Sequence, residues 1–202
     1  MSDLAYAFSY HEDLKQEMLD GKIYSMAPPR VNHSLIAGKL HSAFLQFLKG
    51  KKCHVFFDWG YVHFSKKDKV QPDIMIICKP DIIKPTGVFG VPDLIVEILS
   101  PSTAKRDRGY KKDLYEKHGV DEYWIVDPES STIEIYLLTD GKYLLHEVCK
   151  WVPDNQLDDL PEDDKNEIRR EITPALFPDL VISMEDIFGG WMYIGDRVRS
   201  TP

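Results

Sequence analysis

Two runs decide the fold: Val70-Gln71-Pro72-Asp73-Ile74-Met75-Ile76-Ile77 and Pro92-Asp93-Leu94-Ile95-Val96-Glu97-Ile98-Leu99-Ser100. Each is short, apolar, rich in β-branched residues and bounded by turn formers, the pattern of a buried strand. A carboxylate inside such a run is costly unless positive charge lies against it. Asp73 at the start of one strand and Glu97 within the next supply two carboxylates to one point. A divalent cation is the simplest partner, because hard cations prefer oxygen ligands. Residues 103–119 then read as a helix with Asp107, Lys111 and Tyr115 at i, i+4 and i+8, on one face. Packed beside the Glu97 strand, that face directs the Lys111 ammonium at the acids. Two acids, a cation and a lysine form a working set for hydrolysing a phosphodiester.

The order Pro72-Asp73, Glu97, then lysine resembles the PD-(D/E)XK nuclease superfamily. The fuller text resembles its Uma-type restriction-endonuclease family over residues 14–188. It comprises Pro92 through Thr103, then Asp107 and Lys111, then Gly119-Val120-Asp121-Glu122-Tyr123-Trp124-Ile125-Val126-Asp127-Pro128. The resemblance implies an α/β fold with a restriction-endonuclease-like core: a mixed central sheet flanked by helices, with an N-terminal β-hairpin. It implies Mg²⁺ or Mn²⁺ held by Asp73, Glu97 and the carbonyl of Ile98, with Lys111 orienting water or stabilising the pentacovalent phosphate. DNA is the implied substrate, and a two-fold homodimer is implied if both strands of a duplex are cut. The superfamily places its lysine two residues after the second acid, where this chain has Leu99. The resemblance moves that lysine to the following helix, to Lys111 or, about 100° around it, Lys112. Asp107, one turn before Lys111, is expected to hold the lysine in place. Glu17 and His33 also align with recurrent family positions. Glu17 is either a further acid at the site or a cross-strand partner of Lys22, and His33 either contacts phosphate or water or caps a helix. The alternative is a non-catalytic nucleic-acid-binding or scaffold protein on the same fold, which Leu99 and the acidic tail favour. An RNA or branched-DNA nuclease is a third reading.

The composition fits one domain of 202 residues, with a core over about 14–150 and an acidic region over 151–202. No run approaches the roughly 18 apolar residues of a membrane span. Asp3, Glu12 and Asp13 interrupt any secretory pattern. Cys53, Cys78 and Cys149 are odd in number and far apart, suggesting neither a disulfide framework nor a zinc site, and a cytoplasmic protein. The net charge of −8 lies mostly in residues 151–202, which hold 12 acids against 5 bases. Near the proposed site, Lys105, Arg106, Arg108, Lys111 and Lys112 make a locally basic stretch able to meet phosphate.

Elsewhere, residues 14–26 read as a hairpin turning at Asp20-Gly21. Residues 32–49 read as a helix with Leu35, Ile36, Leu40, Ala43, Phe44, Phe47 and Leu48 on its apolar stripe. Residues 53–64 predict a long strand or a bent pair, and 79–91 a loop between the acid-bearing strands. Asp93 is read as a polar cap or turn residue, and Ser102 or Thr103 as the cap of the 103–119 helix. Tyr123 and Trp124 belong to the core, in a strand parallel to that of Glu97. Residues 132–138 and 142–148 pair around Asp140-Gly141. The acids at 158, 159 and 162–164 lack the glycine and spacing of a calcium loop and are read as solvated surface. Residues 176–191 cover a sheet edge or a helix.

Overall fold

A computed structural model describes residues 15–190. Leu14, Trp191 and the three acids weighed against a leader, Asp3, Glu12 and Asp13, lie outside the described residues. The runs Ile74–Ile77 and Leu94–Ile98 are buried throughout, as strands covered on both faces must be. They lie side by side and antiparallel, with Ile74 opposite Val96. The central sheet runs in the order Lys142–Lys150, Thr132–Thr139, Glu122–Asp127, Leu94–Ile98, Ile74–Ile77, His54–Phe57. The Leu94–Ile98 and Glu122–Asp127 strands pair in parallel across the intervening helix, and the other neighbours pair antiparallel. The sheet is therefore mixed and flanked by helices, as the sequence predicts.

Alternation sorts its side chains to two cores. Leu94, Val96, Ile98, Trp124 and Val126 pack with Ile36, Leu40 and Phe44 of the helix Val31–Leu48 and with Met184, Ile187 and Phe188 of the tail. Leu35 departs from the expected stripe and is exposed at the rim of that helix. On the other face, Met75, Ile95, Leu99, Tyr123 and Ile125 meet Leu114 and Tyr115 of the 104–118 helix. They also meet Leu19, Val62, Val70 and Val88 of a second sheet.

That second sheet corrects several expectations. Val70-to-Ile77 is not one strand: Lys69–Val70 pairs with the hairpin Gln16–Leu19/Lys22–Ser25, whereas Ile74–Ile77 enters the central sheet. Pro72 has no N–H to give a ladder and breaks the run. Residues 79–91 are not a plain loop but hold a short turn of helix and the small hairpin Ile83–Lys84/Gly87–Val88. Residues 53–64 form the bent pair, His54–Phe57 in one sheet and Val62–His63 in the other. The expected absence of a disulfide is overturned, because Cys53 is bonded to Cys78. Register explains it: His54 faces Ile77, so the adjacent cysteines face each other, with Cα atoms 4.0 Å apart. The hairpin turns close as the sequence requires, with Asp20 and Gly21 at φ of 48° and 75° and Asp140 and Gly141 at 51° and 76°. Asp93 accepts the Cys78 N–H at 2.7 Å, tying the two acid-bearing strands together at their far ends. Neither Ser102 nor Thr103 caps the helix through its side chain; the Thr103 hydroxyl turns back to Ser100.

Glu122 anchors the tail to this core. Buried beside the sheet, it accepts from Trp124 Nε1 at 2.7 Å and from the N–H groups of Ala175 and Leu176 at 3.1 and 2.9 Å. Burial pushes its carboxyl above the ordinary range, against the pull of those donors. Glu122→Ala leaves the three donors unsatisfied and is expected to cost about 3 kcal/mol in urea unfolding. A raised folded pKa makes this group's contribution decline as pH rises from 4.5 through the folded value. Accordingly, the variant should show a weaker decline over that window than the wild type.

Candidate functional site

Burial of Glu97 on the side of Ile95 and Leu99 aims its carboxylate at the 104–118 helix. It accepts two hydrogen bonds there, both at Oε1: from Lys111 Nζ at 3.0 Å and from the Tyr115 hydroxyl at 2.6 Å. Lys111 is itself buried and meets three acids. Its Nζ lies 2.8 Å from Glu17, 3.0 Å from Glu97 and 3.6 Å from Asp107. The four residues are each 3% exposed or less, so their charges act at low dielectric and are not screened away.

The helix reaches this geometry through a local irregularity that spacing alone does not reveal. Residues Ala104–Arg106 and Lys112–His118 are α-helical, but Asp107–Lys111 is a π-turn. Such a widened turn occurs frequently at functional sites. Its position is fastened from outside by Asp68. Asp68 Oδ1 accepts from the Asp20 N–H at 2.9 Å and the Tyr110 hydroxyl at 2.7 Å, and Oδ2 accepts from Ser65 at 2.8 Å. One carboxylate thus ties the hairpin that carries Glu17 to the turn that carries Lys111. The Gln71 N–H also donates to Glu17 at 3.0 Å.

Asp73 stands apart from that buried cluster, at the mouth. Its Oδ2 accepts the Ile98 N–H at 2.7 Å and lies 3.2 Å from His33 Nε2. Asp73, Glu97, Ile98, His33, Asp107 and Lys111 line one cavity of about 280 Å³. Lys112 is not among them; its ammonium lies 3.7 Å above the Tyr136 ring, on the other side of the helix. Lys22, the alternative partner for Glu17, is exposed on the outer hairpin strand.

Around the Lys111 ammonium charge is unbalanced toward the negative, with three carboxylates against one cation. Burial, then neighbouring Asp107, Asp73 and Glu17, push the Glu97 carboxyl well above the ordinary range against the pull of Lys111. Burial raises Asp107 as well, and its Oδ1 is buried with no hydrogen-bond partner. Burial works to lower Lys111, but Glu97, Glu17 and Asp107 outweigh it and hold the ammonium well above its usual value. His33 follows the same logic: burial lowers it, and Asp73 more than compensates.

These residues fit a hard cation of the magnesium type. Among the described residues no three His, Cys, Asp or Glu side chains converge at ligand spacing. Mg²⁺ is ordinarily held by one or two carboxylates with water and substrate oxygens. Asp73 and Glu97 line the same cavity, and Glu97 Oε2 carries neither of the bonds that occupy Oε1. The surplus of negative charge and the orphaned Asp107 oxygen favour a positive ion here.

Sequence reasoning named the acids and Lys111 but assigned no role to Tyr115, although its place one turn beyond Lys111 on the same face was in view. Asp68 and Tyr110 carried no signal, because they act across 42 residues of chain. Lys111→Met strands three buried acids and is expected to cost about 3–5 kcal/mol at pH 8. Chemical denaturation at pH 5 should show a smaller loss, since Glu97 and Asp107, both raised by burial, then take up protons.

The model of the Uma2 family, described as "Putative restriction endonuclease", matches residues 3–164. The uncharacterized protein slr1290 of Synechocystis sp. is 34% identical over 134 residues, spanning 65% of this chain and 70% of its own length. Among solved structures, a protein of Anabaena variabilis described as a putative nuclease belonging to DUF820 superposes with a TM-score of 0.65. It shares 22% identity and covers 86% of this chain and 89% of its own. At that identity the likeness speaks for the fold.

Proposed function

The chain belongs to the Uma2 family, and on that footing we propose that it is a divalent-metal-dependent nuclease hydrolysing DNA phosphodiester bonds through Asp73, Glu97 and Lys111. The observation that carries this reading is the buried Lys111 ammonium held among Glu17, Glu97 and Asp107 on the floor of the cavity that Asp73 opens. Asp73, Glu97 and the Ile98 carbonyl, with water, would hold Mg²⁺ or Mn²⁺, which would supply positive charge to the phosphate and acidify water.

The protein's own groups divide the remaining work. Lys111 keeps its proton, because three carboxylates surround it, and so serves as a fixed cation for charge building on the phosphate oxygens. Tyr115 and Lys111 together pin Glu97 Oε1, leaving Oε2 free of both bonds. Asp73 is oriented by the Ile98 N–H and by His33. In the hydrolysis, the oxygen of water forms a bond to phosphorus while one P–O ester bond breaks. The departing sugar oxygen gains a proton, and water gives one up. His33 is the lining group whose ordinary titration range lies near neutral pH, which suits it to that transfer. Cutting both strands of a duplex would call for a two-fold dimer, whose mass sedimentation would read.

Purified protein with Mg²⁺ or Mn²⁺ should cleave either supercoiled plasmid or circular single-stranded DNA. Asp73→Ala should lower the rate by about a hundredfold or more. Equal cleavage by wild type and variant would identify a contaminant and remove the assignment.

A further inference from the structure

The reacting groups lie deep. Glu97, Asp107 and Lys111 are 3%, 1% and 3% exposed. Asp73 and His33, with side chains 23% and 15% exposed, mark the entrance. A cavity of about 280 Å³ sits at the small end of the roughly 300–1,000 Å³ of small-molecule sites. A phosphodiester held on the outside of a stiff double helix does not descend to that floor. One on an unstacked strand does.

The walls suit such a strand. Met26, Pro28, Pro29 and the Phe57 ring line the same cavity as the acids, and Phe57 is 38% exposed. Aromatic and apolar surface beside a phosphate site is the arrangement that holds single-stranded bases by their faces.

The charges near the entrance argue the same way. A protein that tracks a duplex neutralises about 6–10 phosphates. Here several cations are already paired. Lys15 is bound by Asp58, Arg30 lies 3.8 Å from Glu129, and Arg108 is held by Glu134 and Asp127.

We propose that the substrate is single-stranded DNA, seated one unstacked nucleotide deep, with its base against Phe57 and the 26–29 wall and its phosphate between Asp73 and Lys111. This rests on the nuclease reading of the site. Binding is therefore measured apart from cleavage, by fluorescence anisotropy with Ca²⁺ in place of Mg²⁺. The probes are a labelled 12-nucleotide strand and the blunt duplex of the same sequence. The single strand should bind at least about tenfold more tightly. Its affinity should fall with salt at a log–log slope of about −2, as expected for about three phosphate contacts. Phe57→Ala should weaken single-strand binding about tenfold and leave duplex binding unchanged. Phe57→Tyr, which keeps the ring and the strand, should retain it. Duplex binding as tight as single-strand binding, no binding of either, or a Phe57→Ala variant of wild-type affinity and melting temperature would each overturn the proposal. Tight, ring-dependent single-strand binding without cleavage in Mg²⁺ would support it and remove the nuclease reading instead.

Discussion

A single buried ammonium organises this protein. Lys111 sits against Glu17 from the N-terminal hairpin, Glu97 from the central sheet and Asp107 from its own helix. The N-terminal hairpin is thereby drawn to a strand and a helix that follow much later in the chain. A buried lysine without those acids, or the acids without it, would be prohibitive at this depth. The polar cluster and the fold therefore depend on each other, and the second sheet, which covers the face where the cluster lies, has a reason to be there.

The surrounding structure reads as support for that point. Asp68 ties the hairpin turn to the π-turn, so Glu17 and Lys111 keep their separation. Tyr115 fixes Glu97 from the next turn of the helix. Pro72 ends one strand and lets the chain change sheets just before Asp73, which places that carboxylate at an opening and keeps it out of the closed interior. The result is a graded site, with nearly buried charge at the bottom and a more accessible carboxylate and imidazole at the top.

Much of this was legible in the residues. The runs at 74–77 and 94–98 announced themselves by β-branching, and the acids within them demanded a positive partner. The i, i+4 relation of Asp107 and Lys111 indicated its source. Leu99, standing where the superfamily has lysine, falls on the same sheet face as Glu97 and is packed in the core, while the ammonium arrives from the opposing helix. What stayed hidden depended on register or on long-range contact. The Cys53–Cys78 pairing follows from His54 facing Ile77, which spacing along the chain does not disclose. The π-turn has no periodic signature over five residues. Asp68 stands among lysines in the sequence, and its partners Asp20 and Tyr110 are brought to it only by folding. Glu122 began a strand and gave no hint that residues 175–176 would return to it.

We propose that Asp73 and Glu97 share one cation above the Lys111 cluster. Titration of the protein with Mn²⁺, followed by electron paramagnetic resonance, tests it most directly. One ion bound per chain, lost in Asp73→Ala and in Glu97→Gln while both variants keep the wild-type circular dichroism, is the predicted result. Undiminished Mn²⁺ binding in both folded variants would contradict it.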